Sequence, residues 1–199
     1  MQIINFDACE FTRKNKKKTG FTIYDFGKSE HDLLLEFADD QVSKADFYQK
    51  ILKRGLAKGC DLATLDILKN IEIVDKKFDR VVDGTFKFIR NNVEITGHID
   101  GITIENNNYE FVPGLPVCIR NIFDENHFET QFIKYLGQLA MMMDFKEVED
   151  GVLIISSMKD VKMYVVKKLK NKYYCNNEIV DLDGQYKTFE KVKKDYAKN

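Results

Sequence analysis

The sequence lacks tryptophan altogether and has two prolines, three histidines and four cysteines in 199 residues. With so little proline, and no Pro/Gly/Ser-rich stretch, an array of domains on extended linkers is excluded. No apolar run approaches the ~20 residues of a membrane-spanning helix, and runs such as 151–155 are typical of its longest, so no membrane partner is expected. The opening Met1-Gln2-Ile3-Ile4-Asn5-Phe6-Asp7 has no basic start ahead of an apolar stretch. No secretion signal is therefore expected, and the predicted location is cytoplasmic. Cys9, Cys60, Cys118 and Cys175 form no C-x-x-C pair, so no zinc or iron–sulfur cradle is encoded locally. Reduced thiols acting as small core residues are the expectation. No internal repeat is present.

What remains is a globular composition, 44% hydrophobic and 32% charged. It suits one domain across 1–199 with a real core. The net charge of −1 is the sum of unlike parts. Residues 1–20 carry +3, residues 151–199 carry +5 with eleven lysines, and the centre between them carries −9. An acidic centre with basic ends suits a cation held in the middle and a polyanion across the flanks; solvated lysine surface gives the same count.

Residues 1–27 read as a basic hairpin, with Ile3, Ile4 and Phe6 on one side and Phe21–Phe26 on the other. Ser29 is placed to cap a short helix to about Phe37, and Ser43 to open a longer one to about Asn70. From Ile71 the apolar period changes to two. Strands are predicted at 78–82, 85–89, 93–104 and 109–112, with turns at Asp83-Gly84, Asn91-Asn92 and 106–108. Pro113 to Pro116 ends that run. A helix at 128–145, strands at 152–156 and 162–166, and a polar helix at 185–197 follow. The order predicts an α/β (α+β) domain, a mixed central sheet flanked by helices.

Within the acidic centre, Asp100 interrupts an apolar, β-branched strand, and Glu110 lies in the strand that returns after a hairpin. Two carboxylates brought together suit a hard divalent cation. A flat ladder leaves them several positions apart, and Gly101 offers a bend to close the gap.

At these residues the chain resembles the PD-(D/E)XK nuclease superfamily, in particular its RecB-like and CRISPR-associated exonuclease branch. Gly97-His98-Ile99-Asp100 is similar to that branch's G-x-x-D strand, Glu110-Phe111-Val112 to its E-x-K strand, and Gln131 to Tyr135 to its Q-x-x-x-Y helix, with Gln138 as a second register. The similarity covers about 73–156. It implies a restriction-endonuclease-like core and a DNA nuclease dependent on magnesium or manganese. Asp100, Glu110 and the Phe111 carbonyl would be the metal ligands, and Gln131, Tyr135 and Gln138 would line the substrate strand.

Three departures stand out. Val112 occupies the lysine position, and loss of one such cationic donor costs about 10²–10³ in rate. Lys134, one turn from Gln131 and Gln138, is the candidate replacement. The first helix lacks the histidine or glutamate ligand of RecB-like members; Asp61, or His98 two residues from Asp100, could stand in. The cysteine spacing departs from the branch's four-cysteine cluster, so no iron–sulfur cluster is expected.

Lys159, Lys162, Lys167, Lys168, Lys170 and Lys172, interleaved with Tyr164, Tyr173 and Tyr174, predict salt-dependent contact with single strands or strand ends, not with a specific sequence. A homo-oligomer is compatible with all of this. The competing expectations are a catalytically inactive relative that binds nucleic acid or a protein, and an assembly protein marked by an exposed apolar patch.

Overall fold

A computed structural model describes residues 18–38, 76–80, 84–105, 114–122, 128–157 and 161–197. The predicted helix at 43–70, with Asp61, and the predicted strand at 109–112, with Glu110, Phe111 and Val112, lie outside the described residues. So do Cys9, Cys60, Lys159 and the first arm of the predicted N-terminal hairpin.

The second arm of that hairpin is short. Phe21–Thr22 (β1) runs parallel to a later strand and passes into a 3-10 turn, Ile23–Asp25. Glu30–Ala38 (α1) starts where Ser29 predicts. The Asp32 N–H donates to Ser29 Oγ at 3.2 Å and Ser29 Oγ donates to Asp32 Oδ2 at 2.7 Å, a reciprocal cap. Lys76–Arg80 (β2) is followed by Thr85–Arg90 (β3) and Val93–His98 (β4). The last two form a hairpin about Asn91 and Asn92, whose φ values of 49° and 62° are those of a tight two-residue turn.

The strand expected at 93–104 is two strands in two sheets. β4 ends at His98, and Gly101–Glu105 (β5) begins after Ile99 and Asp100. The chain changes sheets between them: the Ile99 N–H bonds to Gly84 O at 2.9 Å, and the Asp100 N–H to Val117 O at 3.2 Å. β1, β4 and β3 make a three-stranded sheet.

A strand the sequence reading missed, Pro116–Ile122 (β6), pairs antiparallel with β5. Proline is tolerated as its first residue. Phe128–Lys146 (α2) then crosses to Asp150–Ser157 (β7), parallel to β6. Val161–Leu169 (β8), Lys172–Cys175 (β9) and Glu178–Asp181 (β10) continue antiparallel, and Leu182–Tyr196 (α3) closes the chain. The seven-stranded sheet has the order β10-β9-β8-β7-β6-β5-β2.

This mixed α/β architecture follows from composition along the chain. β6 and β7 are almost continuously apolar because both faces are buried: Cys118, Leu153 and Ile155 face the main core, while Val117, Ile119, Val152 and Ile154 form a separate cluster. α2 is enclosed in the same way, with Leu139 to Met143 all fully buried. It packs on β6 and β7 and also touches the 3-10 turn and α3. Aromatic rings join the layers: Phe21 stacks on Phe189 with centroids 4.6 Å apart, and Phe86 on Phe145 at 4.5 Å.

Candidate functional site

Asp100 sits on the seam between the two sheets, and the strand beside it is β6. That strand carries the partner that sequence reasoning missed. Arg120 Nη1 donates to Asp100 Oδ2 at 2.7 Å, and the Ile119 N–H donates to the same oxygen at 2.9 Å. Arg120 Nε donates to Gln138 Oε1 at 2.8 Å. The pair is largely enclosed, with side-chain exposures of 15% for Asp100 and 13% for Arg120. Arg120 Nη2 is buried with no hydrogen-bond partner among the described residues. One signal for Arg120 was available: a lone arginine ends the apolar run Val117-Cys118-Ile119.

Burial by itself raises the pKa of Asp100. The Arg120 charge, with hydrogen bonds from His98, the Ile119 N–H and Arg120, outweighs it and holds the carboxyl below its usual range. For Arg120, burial acts to discharge the guanidinium, but Cys118, Asp100 and Tyr24 nearby raise its pKa further. Both groups are therefore ionised at neutral pH.

The other predicted residues fall around this pair. His98 Nδ1 lies 3.5 Å from Asp100 Oδ1, the oxygen turned away from Arg120. Gln138 is buried and is the α2 residue that reaches the pair. Gln131 and Tyr135 bond to each other, Tyr135 Oη donating to Gln131 Oε1 at 3.0 Å. The cation on Asp100 is Arg120, not Lys134. Lys134 is exposed and lays its aliphatic stem over Gly27, whose φ is +78°.

The 3-10 turn lies beside the pair. Tyr24, at 49% exposure, has its ring over Arg120, with the guanidinium carbon 5.4 Å from the centroid. Register places Arg120, Ile155 and Lys162 in one row across β6, β7 and β8, and Lys162 is exposed at its end. The lysines predicted as one cluster are divided. Lys162 and Lys168 share the α2 face of the sheet; Lys167 and Lys172 alternate onto the other face with Tyr174. Tyr173 is buried, and the Tyr164 ring packs against Phe132 at 4.9 Å.

Among the described residues no group of three or more His, Cys, Asp and Glu side chains could hold a metal ion. Of the three ligands, Asp100, Glu110 and Phe111, that the resemblance implies for magnesium or manganese, Asp100 is described, and its Oδ2 is already shared by a guanidinium and an amide. Glu110 and Phe111 lie outside the described residues. Cys118 and Cys175 are buried and unbridged, and burial pushes the Cys175 thiol up to about 11.

No protein-family model matches the sequence, and no curated protein matches it. In fold, the chain is similar to the solved structure of SSO0001, with a TM-score of 0.58 at 13% identity, over 90% of this chain and 77% of that one. At that identity the likeness shows the α/β fold alone. No helix among the described residues is long and apolar enough to cross a membrane.

Proposed function

We propose that this chain is a nucleic-acid-binding domain of the PD-(D/E)XK type that holds a DNA strand at the Asp100 site without cleaving it. The observation that carries the reading is Arg120 on Asp100 at 2.7 Å. A largely enclosed cation occupies the carboxylate that the resemblance assigns to a metal, and two further cations are exposed: Lys162, two strands along the row that holds Arg120, and Lys134, on α2 over Gly27. Lysines on phosphates supply affinity without sequence preference.

A second reading, metal-dependent DNA cleavage, is favoured by one observation. Asp100 Oδ1 faces the half-exposed His98 and not Arg120. That reading also requires Glu110.

Both are tested on the chain with labelled single-stranded and duplex DNA, by anisotropy for binding and by gel for cleavage in manganese. Binding at low salt, with no cleavage by the chain, is the expected result. Cleavage that disappears in Asp100→Ala would overturn the non-cleaving reading, and its loss in Lys134→Ala would assign Lys134 the missing lysine's role. Cleavage that appears only in Val112→Lys would identify an inactivated nuclease scaffold.

A further inference from the structure

We propose that the face of the seven-stranded sheet turned away from α2 docks a short acidic segment of a partner protein. Apolar side chains of that segment would cover the strip across β8, β9 and β10, and its carboxylates would meet the lysines on the rim. This surface lies opposite the Asp100 site, and its role stands apart from any reading of that site.

Register carries one apolar face across the sheet. Ile119, Ile154 and Met163 form one row, and Val117, Val152 and Val165 the next. Each row is buried on β6 and β7, at no more than 2% exposure, and emerges on β8 at 38%. Leu169 on β8 and Ile179 on β10 extend the strip at 59% and 55% exposure. Half-buried Tyr174 lies between Lys167 and Ile179 in a further row. Leu169, Lys170, Asn171, Lys172 and Tyr174 line a hollow of about 410 Å³ at the β8–β9 turn. A contiguous exposed apolar patch of this kind marks a contact surface.

Charge selects the occupant. Lys167 and Lys172 are exposed on this face, and Lys170 is exposed at the turn. None of the three forms an ion pair among the described residues, whereas Lys168, on the α2 face, lies 3.7 Å from Asp144. The acids of this face leave that charge in place. Asp181 Oδ1 accepts from the Asp183 N–H as the cap of α3, and Asp150, in register with Lys167, makes no ion pair with it. A segment with carboxylates beside apolar side chains complements both the strip and its rim. A two-fold second copy would set the three lysines against themselves, and the strip is far smaller than the roughly 20–30 residues a side of a standard interface. Met163, Val165, Leu169 and Ile179 carry no ring on which a base could stack, which disfavours a nucleic acid.

The full chain is panned against a displayed library of random dodecapeptides, with counter-selection on a variant combining Lys167→Glu, Leu169→Ser, Lys172→Glu and Ile179→Ser. All four positions are exposed, so the variant is expected to fold, with a melting temperature close to that of the wild type. The expected winners combine Asp or Glu with Leu, Ile or Phe. A synthesised winner should shift the methyl resonances of Met163, Val165, Leu169 and Ile179 in the wild-type chain, a readout that needs no variant. It should also lose about tenfold or more in affinity for Lys167→Glu with Lys172→Glu. No enrichment over the variant, winners of basic or uncharged sequence, or shifts confined to the α2 face would each overturn the proposal. Binding to phosphatidylserine vesicles, or dimerisation in sedimentation, in the wild type and not the variant, would overturn it in favour of a membrane surface or a second copy. Every one of these outcomes leaves DNA binding at Asp100 to its own test.

Discussion

Asp100 and Arg120 place opposite charges in an enclosed site, where breaking the pair costs more than its net worth because one charge is left alone. Arg120→Met is expected to destabilise the fold by about 3–5 kcal/mol at neutral pH. The pH dependence carries the sharper prediction. In the native chain the carboxyl of Asp100 is depressed, so its contribution is present above the unfolded value of about 3.9 and is lost as pH falls through the native value. Without Arg120, burial dominates and the carboxyl rises above its unfolded value. The penalty then grows as pH rises through 4 toward neutrality. Urea denaturation between pH 7 and pH 3.5 should therefore show the two proteins converging toward the acid end. A constant gap would mean that the Asp100 charge is not what Arg120 holds. Asp100 was legible in the sequence because an acid in a β-branched strand is conspicuous. Arg120 was not, because Pro113 and Pro116 read as the end of a strand when Pro116 in fact begins one.

Elements dock here through close approaches that a single methyl group would prevent. A Cβ on Gly137 would lie 2.1 Å from the Phe26 ring. Gly137→Ala improves intrinsic helix propensity by about 1 kcal/mol, but the overpacking is expected to cost about 1–3 kcal/mol and to displace the turn that carries Tyr24. A lowered melting temperature together with weakened single-strand binding would show both effects; a raised one would mean that the turn yields freely. Local signals were readable at this scale: the Ser29 cap, the Asn91-Asn92 turn and the long helix at 128 all form where the sequence predicts them. The split at Ile99-Asp100 was hidden because alternation continues across it. Period two reports that residues are extended and not which sheet they join.

Across the whole molecule, the basic C-terminal region predicted one surface and the fold makes two. Alternation along β8 and β9 sends Lys162 to the α2 face and Lys167 and Lys172 to the other, where exposed Met163, Val165, Leu169 and Ile179 accompany them. Single-strand binding through about three phosphate contacts should have a log–log salt slope near −2, a roughly 15- to 20-fold loss between 50 and 200 mM. Lys134→Gln with Lys162→Gln should flatten that slope by about 1.4, and Lys167→Gln with Lys172→Gln should leave it unchanged. The reverse ranking would move the binding face to the apolar strip and favour the assembly-protein alternative. Net charge alone could not have distinguished these faces, because it carries no direction.

The seam between the beginning and end of the described chain has a consequence in time. The Gly27 bond to Gln185, the Phe21–Phe189 stack and the Lys191–Glu30 pair at 2.7 Å all join residues about 160 positions apart. During synthesis the Tyr24 turn can rest on β4 and α2 before α3 exists, but the ties of Phe21 and Gly27 to α3 form only once that helix has left the ribosome, roughly 8–35 s after the turn itself at elongation rates of about 5–20 residues per second. The packing of β1 and Gly27 against α3 is among the last features to mature. Nascent chains arrested before Leu182 should leave Phe21 open to a protease that cuts after aromatic residues, while chains released after Tyr196 protect it to the native extent.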